Sequence, residues 1–220
     1  MEIQFRLFGI PVHVSVVFLL IALVLGQQWG ARTPVLMAAW IVVMFLGILM
    51  HELGHALTAK AYGQEPAIAL HGFGGTTMWQ PRGDIGPGKR AIITLAGPVV
   101  GIVIGVPALV LARLLPDGSF ADQVMDFAWS VNLVWAIFNL VPMLPLDGGR
   151  VMASVLELLF GKGSLRVAYV VSIVVAVLFG LLMLLVGAYI TLVFCAYFIY
   201  LNVQGLGQLR RPEDPPAIGA

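Results

Sequence analysis

The chain has 220 residues, 60% of them hydrophobic and 10% charged, with a mean hydropathy of +0.99 and a net charge of +1. A soluble domain carries about 25% charged residues, so this composition excludes a protein bathed in water on all sides. The charge balance leaves no basic surface for nucleic acid, and the single cysteine, Cys195, excludes an internal disulfide.

A helix needs about 20 apolar residues to cross a bilayer. The first apolar run covers residues 10–26 and leads into Gln27, Gln28 and Trp29, not into a small-residue cleavage site. It therefore reads as a retained helix and not as a signal peptide. Further runs cover 35–59, 91–115 and 127–146, the last broken near its end by Pro142 and Pro145. The stretch 165–203 would be roughly 58 Å long as one helix, about twice the hydrocarbon thickness. It must divide, with the turn expected near Gly187. The expectation is an α-helical polytopic membrane protein of about six transmembrane helices. Residues 1–208 form one membrane-embedded domain, and the Pro-rich polar tail 209–220 reads as disordered.

Basic residues set the orientation. With the N-terminus inside, Arg6, Lys60, Arg82, Lys89, Arg90, Arg150, Lys162, Arg166, Arg210 and Arg211 lie on the cytoplasmic side, and only Arg32 and Arg113 lie outside. The positive-inside rule favours this arrangement, with both termini cytoplasmic. Between the second and third helices, residues 62–90 are rich in glycine, with His71-Gly72-Phe73-Gly74-Gly75 followed by Thr76, Thr77, Met78 and Trp79. Short β-prone pieces around glycines point to a hairpin or re-entrant loop; a plain cytoplasmic loop is the alternative.

The second helix contains His51-Glu52-Leu53-Gly54-His55. Histidines at i and i+4 share one helix face, so both imidazoles reach one metal ion. Glu52, beside the first ligand, is placed to act on a water there. Polar groups are costly in an apolar helix and mark function by default. A catalytic zinc takes three protein ligands and keeps one open position. Asp147 is the candidate third ligand, because helices two and four run in the same direction and end at similar depth. Pro142, Pro145, Gly148 and Gly149 allow the chain to bend there. A simple helix-ending turn is the alternative for Asp147.

These residues resemble the site-2 protease family, a group of intramembrane zinc metalloproteases. His51-Glu-Leu-Gly-His55 is similar to its zinc motif, and Asn139-Leu-Val-Pro142-Met-Leu-Pro145-Leu-Asp147-Gly-Gly to its second motif, whose aspartate is the third zinc ligand. Ala96-Gly97-Pro98 resembles a third element, which usually has an asparagine three residues past the proline; Gly101 stands there instead. Phe8-Gly9-Ile10-Pro11-Val12 is similar to the family's entry into its first helix. The resemblance spans roughly residues 8–204, a minimal core without a PDZ or CBS domain.

The resemblance implies one Zn²⁺ per chain, held by His51, His55 and Asp147, with Glu52 as catalytic base. It implies single-pass transmembrane proteins as substrates, cleaved in or near their spans in regulated intramembrane proteolysis. It also implies that Asn139 helps hold the substrate and that a re-entrant β-hairpin, with Gly72, Phe73, Gly74, Gly75, Thr76 and Thr77, presents an edge to it. A chain of this kind suits a prokaryotic plasma membrane, with the active site near the cytoplasmic side. Three other readings stay open: a metal-ion transporter with zinc as cargo, a zinc-binding membrane scaffold without catalysis, and a peptidase embedded by its helices whose scissile bond lies outside the bilayer.

Overall fold

The computed structural model describes residues 2–80, 82–83, 85–187 and 189–209. The expected disordered tail, apart from Leu209, lies outside the described residues, as do Arg210 and Arg211. By contacts the chain divides into two units. The first comprises Met1–Asp84 and Ala96–Phe138, and the second Ile85–Leu95 with the chain from Asn139 on.

The first unit begins with strands β1, Glu2–Leu7, and β2, Ile10–Ser15, paired antiparallel across a two-residue turn. Phe8 and Gly9 both take positive φ there, 52° and 77°, the backbone that a tight hairpin turn between twisted strands requires. This corrects the expectation of a helix from residue 10. Ile10, Val12 and Val14 are buried while Pro11, His13 and Ser15 between them are half-buried. That period of two, in β-branched residues, specifies a strand. Ser15 ends the strand and caps helix α1, Val16–Gln28, its Oγ accepting from the Val17 amide at 3.2 Å. At 13 residues α1 is about 20 Å long, less than the hydrocarbon thickness.

Helix α2, Pro34–Ala61, follows, with Thr33 as its cap and Pro34 at its first turn. It leads to β3, Glu65–His71, and β4, Gly74–Gln80, an antiparallel hairpin with Gly72 and Phe73 at the turn. The expected hairpin thus begins earlier than its glycines. It also belongs to a larger sheet, because β2 and β3 pair in parallel and the strand order is β1-β2-β3-β4. The unit's core lies between sheet and helices, around Phe18, Trp40, Ile48, Ile68 and Leu70. The Trp40 indole N–H donates to the Ala22 carbonyl at 2.8 Å, so this buried polar group is satisfied.

Helix α3 spans Pro87–Ala112 with Pro98 and Pro107 inside it. The run expected as the fourth helix is helical without interruption from Phe120 to Asn139, starting earlier and ending earlier than expected and carrying a π-turn. Helix α4, Phe120–Trp129, passes into a π-turn at Ser130–Val134 and then into short α5, Trp135–Asn139. Gly101 and Gly105 lie against this π-turn, and a Cβ on Gly101 would come within 2.9 Å of the Asn132 carbonyl and the Ala136 Cβ. Close packing thus accounts for glycine at the position where the family pattern has asparagine.

In the second unit, helix α6, Asp147–Phe160, was not foreseen as a separate element. Its Glu157 pairs with Arg90 at the start of α3. Helices α7, Leu165–Leu185, and α8, Tyr189–Gln208, turn at Val186 and Gly187, where the sequence places the break. Two polar side chains on these apolar helices hold one residue before α6. Ser172 Oγ accepts from the Leu144 amide at 3.0 Å, and the Asn202 amide donates to the Leu144 carbonyl at 2.7 Å. Among the described residues three helices are long and apolar enough to cross a membrane, Pro34–Ala61, Pro87–Ala112 and Lys162–Leu185.

Candidate metal centre

His51, Glu52 and His55 lie in a fully buried stretch of α2. The i, i+4 spacing stacks the two imidazoles one turn apart, with ring centroids 4.9 Å apart and planes at 81°. Their Nε2 atoms face each other at 3.3 Å. Two nitrogens bound about 2.0–2.1 Å from one tetrahedral zinc stand about 3.3 Å apart, so the pair fits the ion. The expected third ligand, Asp147, belongs to the second unit. Asp147 is buried at the first turn of α6.

Helix α3 supports the histidines from the side. The Ala96 carbonyl lies so near Gly54 that a Cβ there would stand 2.6 Å from it, and a Cβ on Gly97 would run into the His55 imidazole. The Ala96-Gly97-Pro98 element therefore makes room for the His55 side chain.

Strand β4 approaches Glu52 from the other direction. Thr77 Oγ1 lies 2.7 Å from Glu52 Oε2 and 3.0 Å from the Glu52 main-chain carbonyl, and all three atoms are buried. Gly75, two residues earlier on the same face, packs against the Glu52 side chain, so that a Cβ there would lie 2.5 Å from Cγ and Oε1. The remaining hairpin candidates are distributed differently. Gly72 packs on Val17, and Gly74 packs on the Trp135 ring. Phe73 is exposed at the tip, and Thr76 bonds His71 Nε2 at 2.9 Å. His71 Nδ1 accepts from the Phe73 amide at 3.2 Å, so the proton on the neutral ring sits on Nε2 and is shared with Thr76. Asn139 is buried at the end of α5.

Sequence reasoning attached no role to His71 and put Thr77 among substrate contacts. The i, i+2 alternation of Gly75 and Thr77 on one strand face was legible; that the face meets Glu52 required the fold. Ser172 and Asn202 were missed, although polar side chains within apolar runs were the available signal.

Comparison with known proteins follows the same chemistry. Residues 114–185 match the model of peptidase family M50. A zinc metalloprotease of Methanocaldococcus jannaschii is 28% identical over 91% of this chain and 58% of its own length. A protein assigned as a zinc metalloprotease in Synechocystis sp. is 32% identical over 71% of this chain and 44% of its own. The chain thus spans about half the length of the curated relatives it matches. The solved structure of the site-2 protease from Methanocaldococcus jannaschii aligns over 99% of both chains with a TM-score of 0.62 at 24% identity, a shared fold.

Proposed function

We propose that the chain is a member of peptidase family M50, whose model its residues 114–185 match, and that it is a zinc endopeptidase that cleaves single-pass membrane proteins within or next to their spans. The observation that carries this reading is the Nε2 pair of His51 and His55 at zinc-ligand separation, with Glu52 buried on the same helix. In this reading His51, His55 and Asp147 bind one zinc ion and leave one position open, and Glu52 is the catalytic base.

Bound zinc supplies Lewis acidity, which lowers the pKa of a water toward ~7 and polarises a carbonyl. Glu52 takes a proton from the attacking water and hands it to the leaving amine. With one carboxylate among its three ligands a bound Zn²⁺ would keep a net positive charge, which would suit the negative charge that develops on the substrate carbonyl. Burial of all four side chains strengthens these interactions by keeping the local dielectric low.

A transmembrane substrate hides its peptide bonds in helical hydrogen bonds, so it must unwind, and in lipid the freed groups need partners. Strand β4 has one sheet neighbour, β3, among the described residues. The two-residue turn makes His71 and Gly74 a hydrogen-bonded pair, so by alternation Gly75, Thr77 and Trp79 direct their backbone groups to the open edge. That edge supports strand addition by the unwound segment, with the Asn139 amide as a further donor and acceptor. The basic residues support cytoplasmic termini in a prokaryotic plasma membrane, and six crossings would take α1, the Phe120–Asn139 run and α8 beside the three long helices. Regulated intramembrane proteolysis is the process this activity fits.

The test is to incubate the purified chain with synthetic single-span peptides and map products by mass spectrometry. Cuts inside or beside the apolar span, abolished by a zinc chelator, are expected. Cuts confined to extended soluble peptides would contradict the substrate class.

A further inference from the structure

Thr77 sets its side-chain hydroxyl against Glu52. A glutamate has three side-chain torsions, and without a restraint its carboxylate samples several orientations. Here one oxygen, Oε2, is tied to Thr77 Oγ1 at 2.7 Å. The hydroxyl has one proton, and of its two acceptors Oε2 is the nearer, the Glu52 carbonyl lying 3.0 Å away. The other oxygen, Oε1, lies where a side chain at position 75 would sit, 2.5 Å from the Cβ that Gly75 lacks. Thr77 and Gly75 occupy alternate positions of β4 and face the same way. One therefore anchors the carboxylate while the other keeps its second oxygen clear.

We propose that Thr77 is the positioning residue of Glu52: it holds Oε2 so that Oε1, opposite Gly75, is the oxygen that exchanges the proton. The inference rests on the protease reading above and assigns Thr77 a role other than substrate contact. Thr77 is only 5% exposed, and its side chain is committed to the base. Misplacement of a catalytic group by about 1 Å costs about 100-fold, and that is the expected fall in kcat for Thr77→Val.

The experiment measures kcat, KM and zinc per chain with a single-span peptide for the wild type, Thr77→Val and Thr77→Ser. It also measures peptide affinity for Glu52→Gln with and without Thr77→Val. Expected are a loss in kcat with KM and zinc retained in Thr77→Val, and recovery of most of that loss in Thr77→Ser. In the Glu52→Gln background, Thr77→Val leaves affinity unchanged, because its effect runs through the base. Wild-type kcat in Thr77→Val, an equal loss in Thr77→Ser, or weakened peptide binding in the Glu52→Gln background would overturn the assignment. Should Thr77→Val fail to take up zinc, Gly75→Ala decides. It lowers kcat with zinc retained if Oε1 needs that space, and full activity overturns the inference. A wild-type protein that cleaves nothing would instead overturn the protease reading itself.

Discussion

Gly97→Ala probes the proposed zinc site without removing any ligand. A Cβ at this position would lie 2.5 Å from His55 Cε1 and 2.8 Å from Cδ2, and nearer still to Nε2. Carbon atoms settle at about 3.5–4.0 Å, so the imidazole has to retreat by about 1 Å. The backbones of α2 and α3 already touch at Gly54 and Ala96, so the strain falls on the ring. That movement spoils the 3.3 Å separation of the two Nε2 atoms. Overpacking of this kind costs about 1–3 kcal/mol. If the metal-bound state bears that cost, zinc affinity falls by roughly 5- to 150-fold. Competition against a fluorescent chelator in detergent measures it. Gly163→Ala is the matched control, because a Cβ there meets nothing within 4 Å. Equal zinc affinity in Gly97→Ala and the wild type would refute the geometric argument.

Other predictions address the scaffold and the metal. Asn202→Leu removes the donor to the Leu144 carbonyl and should cost about 1–3 kcal/mol, the range for leaving a buried acceptor unsatisfied. Denaturant unfolding in detergent reads this loss, and unchanged stability would contradict the clamp described before α6. Zinc at 100 times its Kd should stabilise the wild type by about 2.7 kcal/mol, seen as a rise in melting midpoint that His51→Ala lacks. Equal shifts in both proteins would mean that zinc binds elsewhere.

The sequence revealed the chemistry more fully than the fold, for identifiable reasons. His51, Glu52 and His55 are near neighbours on one helix, so their relation follows from helical spacing alone. The turn at Gly187 follows from length, since no single helix of that run fits a bilayer. Hydropathy misread residues 10–15, because Ile10, Val12 and Val14 raise the average of a helix window as well as they line a strand. Their alternation with Pro11, His13 and Ser15 held the answer and was outweighed by the apolar run behind it. The π-turn at Ser130–Val134 left no comparable mark: what packs on it, Gly101 and Gly105, comes from another helix. The partnership of Thr77 with Glu52 joins residues 25 apart in sequence, and only the sheet brings them together.

The most direct test of the central claim compares the wild type with Glu52→Gln for zinc content and for cleavage of one single-span peptide. The account predicts about one zinc per chain in both proteins, with cleavage confined to the wild type. The amide keeps the shape of the side chain and leaves His51, His55 and Asp147 in place, but it cannot accept the proton. Wild-type cleavage by Glu52→Gln, or no zinc in either protein, would contradict it.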